Sequence, residues 1–193
     1  MLKRIYDWCV DSADKPYSLW ILSAVAFAES SFFPIPPDVM LIPMSLAQPK
    51  RAWLYATVCT AASVLGGLLG YAIGALLYDS IGHWLIQLYG LGDKVEAFRE
   101  SYARWGAVII LLKGLTPIPY KLVTITSGFA GYNIVLFTLC SIVARGGRFF
   151  IAALLMNRYG DWIRVRVERH LALFVGILVA VLVLGFVIAL KMI

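Results

Sequence analysis

The sequence predicts an all-α integral membrane protein. It is built as an inverted repeat of two units, each a re-entrant helical hairpin plus a transmembrane helix, with a further C-terminal transmembrane helix. Three observations predict this. First, 61% of the 193 residues are hydrophobic and only 15% are charged, whereas soluble domains run near ~45–50% and ~25%; mean hydropathy is +0.83. Second, a Pro-Ile-Pro triplet breaks an apolar stretch twice, at Pro34–Pro36 and Pro117–Pro119. Third, residues downstream of the two triplets match in order.

Composition excludes a soluble enzyme, a disordered chain and a disulfide scaffold. One membrane domain, 1–193, uses the whole chain. The net charge is +6, but the basic residues flank apolar runs in short loops. That pattern is a positive-inside bias suited to anionic lipid head groups, and nucleic acid is not expected as a partner. Cys9, Cys59 and Cys140 are far apart and read as packing residues. No metal cluster, P-loop, GxSxG elbow or histidine-bearing phosphatase motif is present, so neither metal nor cofactor is expected.

Residues 1–17 read as an N-terminal interfacial helix, with Ile5, Trp8 and Cys9 on one side. Asp7, Asp11, Asp14 and Lys15 leave this segment without an apolar core, so no cleavable leader is expected. Repeat 1 spans 18–82. Its first arm, Leu19 to Phe33, meets Pro34-Ile35-Pro36-Pro37-Asp38, and a second arm runs from Val39 to Ala47. Neither arm reaches the ~20 residues of a spanning helix, and three prolines in four positions cannot continue one. A hairpin whose arms enter and leave on one side follows. Ala52 to Tyr78 is then a full span. Its Gly66, Gly70 and Gly74 lie on one helical face, for close contact with another helix or with lipid.

Residues 83–104 form an amphipathic linker. Asp93 and Glu96 suggest a capping box, and Val95, Phe98, Tyr102 and Trp105 recur at helical spacing. Repeat 2 spans 105–160. An apolar arm ends at Lys113-Gly114-Leu115-Thr116, breaks at Pro117-Ile118-Pro119-Tyr120-Lys121, and resumes from Leu122 to Ala130. A long apolar run from Tyr132 to Met156 carries Arg145 and Arg148. Residues 157–170 are polar and basic, and 171–190 form the uncharged C-terminal span.

The two units match beyond the tips. Ala47 matches Ala130, and Thr57-Val58-Cys59 matches Thr138-Leu139-Cys140. Gly66-Gly67 matches Gly146-Gly147, Ala75-Leu76-Leu77 matches Ala153-Leu154-Leu155, and Gly82-His83-Trp84 matches Gly160-Asp161-Trp162. A non-crossing hairpin plus one crossing helix is an odd number of crossings. The second unit is therefore inserted upside down, as in many transporters. With the N-terminus inside, Lys3, Arg4, Lys15, Lys50, Arg51, Arg158, Arg164, Arg166 and Arg169 lie inside, against Lys94, Arg99, Arg104 and Lys191 outside. This favours a cytoplasmic N-terminus.

Six ionisable residues interrupt apolar runs: Glu29, Asp38, Lys113, Lys121, Arg145 and Arg148. Such groups face a cavity and pair with one another or with substrate. One hairpin is acidic and the other basic, at nearly equivalent positions. Face to face they would make a polar centre of two carboxylates and up to four cations, or else a structural ion-pair network. The cation excess suits an anion, and phosphate suits Lys and Arg. Glu29 and Asp38 are candidate proton carriers, Asp38 having a second use as a helix cap. Lys113, Lys121, Arg145 and Arg148 are candidate phosphate ligands. Pro34, Pro36, Pro37, Pro117 and Pro119 shape the hairpin tips. Thr116, Thr124, Thr126 and Ser127 either line the site or satisfy backbone groups.

Taken together, ESSFFPIPPD (from Glu29 to Asp38), GGLLGYAIG and LKGLTPIPYKLVTITSGFAG resemble the DedA family, also called SNARE-associated or VTT-domain proteins. The resemblance covers roughly residues 18–160 and is nearest to the short bacterial YqaA-like branch. It implies an inner-membrane protein with two re-entrant hairpins, linked to recycling of undecaprenyl phosphate and to the proton-motive force. It assigns Glu29 and Asp38 to the family's acidic positions and Arg145 to the helix after the second hairpin. The chain departs from the pattern where many members carry arginines on either side of the second tip. Those places hold Gly114 and Tyr120, with Lys113 and Lys121 one residue beyond.

The expected activity is translocation of an anionic polyprenyl phosphate or phospholipid across the bacterial inner membrane by a multi-pass, proton-coupled, non-enzymatic flippase. The alternatives are an intramembrane lipid-phosphate phosphatase, in which Glu29 would activate water, and a small-ion/proton antiporter. Gly66, Gly70 and Gly74 read first as plain helix packing, with lining of the lipid-tail path or support of a homo-oligomer as the alternatives.

Overall fold

The computed structural model describes residues 8–13, 15–32, 36–90, 92–115 and 120–169. Among these every regular element is helical. In order they are α1 (Pro16–Ser31), α2 (Asp38–Ala47), a 3-10 turn (Pro49–Arg51), α3 (Ala52–Leu77), a π-helical segment (Tyr78–Gly82), α4 (His83–Tyr89), α5 (Gly92–Leu115), α6 (Tyr120–Phe129) and α7 (Ile134–Arg169). The expected C-terminal span, 171–190, and residues 1–7 and 14 of the expected N-terminal interfacial helix lie outside the described residues.

Helix lengths separate two classes. At 1.5 Å per residue, α1 is about 24 Å long, and α2 and α6 about 15 Å each. All fall short of a hydrocarbon core of about 30 Å. Among the described residues two helical stretches, Pro49–Ser80 and Ile134–Gly160, are long and apolar enough to cross. Along both, large apolar side chains stay exposed, among them Leu65, Leu69 and Leu76 on α3 and Leu139, Val143 and Ile151 on α7. So much outward-facing apolar surface suits lipid rather than water.

The first break is written into its prolines. Pro37 precedes α2 with φ near −65°, the angle its ring imposes and a helix start accepts. Its carbonyl accepts from Met40 N and Leu41 N at 3.0 and 2.8 Å, so the chain is helical again within one turn of the tip. α5 behaves differently from the expected division at 104/105. Linker and first arm are one continuous helix from Gly92 to Leu115, because no proline or glycine pair separates them.

α3 and α7 form the spine. Three contacts along them run in opposite order, Trp53 with Phe150, Ser63 with Arg145 and Tyr71 with Phe137, so the helices are antiparallel. Each half packs its first arm on its own long helix, α1 on α3 and α5 on α7. Each second arm also crosses over, α2 onto α7 and α6 onto α3. Two apolar cores result. One gathers Leu22, Met44, Tyr55 and Phe149, the other Ile110, Tyr120, Tyr132 and Phe137.

The glycine stripe of α3 lies against these arms. A methyl group at Gly66 would land on the Phe27 carbonyl, at Gly70 on Thr124, and at Gly74 on the Ile125 carbonyl. In return, one at Gly128 of α6 would land on the Tyr71 carbonyl. The first reading of this face, plain helix packing, therefore holds, and the alternative of a lipid-tail path along it is corrected. The stripe is filled by α1 and α6, because removing Cβ lets backbones approach where no side chain fits. The same burial removes it as a surface for self-association.

Candidate functional site

Arg145 sits at the centre of the spine with a side chain only 1% exposed. Four elements converge on it. From α1, Glu29 Oε2 accepts from Arg145 Nη2 at 2.5 Å; from α3, Ser63 Oγ accepts from Nε at 2.6 Å. The guanidinium lies between two rings, Tyr120 of α6 at 4.9 Å and Phe149 of α7 at 4.7 Å. Ser30 ties the carboxylate to the serine, donating to Glu29 Oε2 at 3.2 Å and lying 2.6 Å from Ser63 Oγ. Tyr120 is held by its own hydroxyl, which donates to Ser141 Oγ at 2.5 Å. The planar fork of arginine suits this setting, since it stacks and donates at once.

A second pair lies one turn along α7. Arg148 Nη2 donates to Asp38 Oδ2 at 2.5 Å, with side chains 24% and 8% exposed. Arginines three residues apart share a helix face, and here they reach two successive short helices, α1 and α2. Asp38 stands in the first turn of α2, next to the N-cap Pro37, and its carboxylate accepts from Arg148. Breaking a buried pair of this kind from one side costs about 3–5 kcal/mol.

Lys121 is placed apart. Its Nζ is 3.5 Å from the Phe32 carbonyl at the end of α1, and no carboxylate pairs with it among the described residues. Among the described side chains, the expected centre forms two one-to-one pairs with Lys121 at the edge. The side chain of Lys113, and Pro34, Pro117, Pro119 and Thr116, lie outside the described residues. Thr124 donates to the Ser30 and Lys121 carbonyls at 3.2 and 2.9 Å, and Ser127 donates to the Val123 carbonyl at 2.7 Å. Thr126 likewise donates to the Leu122 carbonyl, at 2.6 Å. All three hydroxyls satisfy backbone groups.

Four participants went unread in the sequence: Ser30, Ser63, Tyr120 and Phe149. A signal existed for two. Ser63 lies in register with Gly66, Gly70 and Gly74, and Phe149 is one helical turn beyond Arg145. The departures at 114 and 120 also have a physical reason. A Cβ at Gly114 would run into Ala144, and Tyr120 supplies a ring beneath Arg145. Among the described residues no cluster of His, Cys, Asp and Glu could hold a metal.

The fold and this centre define an α-helical membrane protein with two carboxylate–arginine pairs joining the short helices α1 and α2 to a long helix. Residues 35–158 match the VTT domain model, and the chain belongs to that family, the DedA or SNARE-associated proteins. An uncharacterized protein of Haemophilus influenzae is 32% identical over 182 residues, covering 94% of each chain. An uncharacterized homologue from Histophilus somni is 33% identical over 187 residues, covering 97% of each. No solved structure matches the chain.

Proposed function

We propose that the protein carries an anionic lipid with a phosphate head group, a polyprenyl phosphate such as undecaprenyl phosphate or a phospholipid, across the bacterial inner membrane in exchange with protons. The observation that carries this reading is the pairing of Arg145 with Glu29 and Arg148 with Asp38 between a broken hairpin and a spanning helix. Each arginine is satisfied by a group that a proton can neutralise. When Asp38 takes a proton, Arg148 loses its counter-charge and a phosphate oxygen can take the vacant place. The more exposed outer pair is the entry; the buried pair with Glu29 repeats the exchange deeper. Lys121, which no carboxylate pairs with among the described residues, holds the head group at the rim.

The exchange of second arms between halves and the antiparallel spine support an inverted repeat with two re-entrant hairpins. The excess of Lys and Arg on one side supports a cytoplasmic N-terminus. The rival phosphatase would cleave the same phosphate, so one experiment separates the two. Purified protein is reconstituted with labelled undecaprenyl phosphate under an imposed pH gradient, and leaflet exchange and released inorganic phosphate are followed together. The expected result is gradient-dependent exchange without phosphate release, reduced at least tenfold in Lys121→Ala. Phosphate release would make the protein an enzyme. Wild-type exchange rates in Lys121→Ala would remove that residue from the path.

A further inference from the structure

The exposed face of α1 carries a feature that the charged centre does not use. Trp20, Ile21, Ala24, Val25, Ala28 and Phe32 line an open apolar groove of about 440 Å³. These positions follow one stripe of the helix; Trp20 and Phe32 are exposed, and Ile21 and Val25 pack in part against the apolar core. Alanines make the floor, and the bulky rings of Trp20 and Phe32 stand at the two ends. From residue 20 to residue 32 the groove extends about 18 Å along the helix axis. At the Phe32 end stands Lys121, its Nζ 3.5 Å from the Phe32 carbonyl. Glu29, in the buried pair, lies on the adjoining side of the same helical turn.

We infer that this groove seats one hydrocarbon chain of a phosphate-bearing lipid whose head group rests on Lys121. The inference deepens the transport reading and rests on it. A stripe facing bulk lipid needs no cation at one end; a stripe that seats one particular lipid does. An apolar trough ending at an ammonium that has no carboxylate partner among the described residues has the two complementary parts of a single amphiphile. It also leads the head group toward the arginine pairs while the chain stays beside α1, outside the polar centre.

The test uses the full chain in proteoliposomes containing phosphatidic acid with a mid-chain diazirine, or diacylglycerol with the same chains. After irradiation, adducts on the α1 peptide are mapped by mass spectrometry. The expected result is at least tenfold more labelling at residues 20–32 by phosphatidic acid, with the excess lost in Lys121→Gln. Equal labelling by both lipids overturns the assignment, since that is ordinary solvation by the bilayer. A benzophenone side chain at position 28 that couples to residues 171–190 rather than to lipid overturns it as well. Ala24→Trp and Ala28→Trp fill the trough from its outward side. Each should lower leaflet exchange about tenfold in protein that elutes as a folded, monodisperse species, and undiminished exchange in both counts against the groove. Exchange by the wild type is measured in the same vesicles. Exchange with head-group-blind labelling sinks the groove alone. Phosphate-dependent labelling without exchange leaves the groove as a lipid site and sinks transport.

Discussion

Replacing Glu29 with glutamine keeps the shape of the side chain but removes the charge facing Arg145. The guanidinium is 1% exposed, so water cannot replace the lost carboxylate. Ser63 and the two rings remain, but none of them carries a negative charge. The expected destabilisation is about 3–5 kcal/mol, the range for breaking one side of a buried pair. Arg145→Met should cost about as much, because it strands Glu29, whose side chain is 12% exposed. If the two losses were independent, the double variant would lose roughly 6–10 kcal/mol. We expect it instead to lie within about 2 kcal/mol of wild type, since a methionine between Tyr120 and Phe149 leaves neither charge unpaired. Reversible denaturation in detergent micelles measures all four corners of the cycle. Lipid exchange is then read on the double variant, which should be folded and inactive. Additive losses would refute the pairing as the source of the cost. A stable, active double variant would refute the role of Glu29 in transport.

Two further substitutions probe the frame around the site. Gly74→Leu places a side chain against the Ile125 backbone and should cost about 3 kcal/mol or more by overpacking. Gly92→Ala meets no atom within 4 Å and should stay within about 0.5 kcal/mol of wild type; the same denaturation assay compares them. Arg99 Nε donates to the Ala130 carbonyl at 3.0 Å, closing the C-terminal end of α6, and its guanidinium lies over the Tyr78 ring at 4.6 Å. Arg99→Ala should cost about 1–3 kcal/mol, with lipid exchange per folded molecule unchanged. A larger loss of exchange than of folded protein would give α5 a part in transport.

Much of the frame was legible because it is written in local chemistry. Closely spaced prolines end helices, so the breaks between α1 and α2 and between α5 and α6 could be located before any contact was known, whereas the lone Pro43 sits inside α2. Ionisable groups in apolar runs stand out for the same reason, and the four that pair, Glu29, Asp38, Arg145 and Arg148, were all among the candidates. Their pairing was not legible. Acidic and basic hairpins suggested that Lys113 and Lys121 would face the carboxylates, whereas the arginines of α7 meet them. The choice between lysine and arginine depends on the crossing of α2 onto α7, a contact about 110 residues apart in sequence that no local pattern encodes. The hydroxyls of Ser30 and Ser63 were silent because serine in an apolar helix usually bonds its own backbone. Only the approach of α1 to α3 turns them toward a shared partner.

The contacts along the α3 stripe have a consequence for genetics. At Gly66, Gly74 and Gly128 a new Cβ meets main-chain carbonyl atoms of Phe27, Ile125 and Tyr71. Main-chain atoms are the same for every amino acid. Shortening residue 27, 125 or 71 therefore makes no room, and no second-site change at the point of collision suppresses the first. Gly114 is different, because its obstacle is the Ala144 methyl, and Ala144→Gly removes it. Suppressor selections starting from damaged glycines should thus recover partners for position 114 and return only true revertants, or distant changes that let a whole helix shift, for the other three.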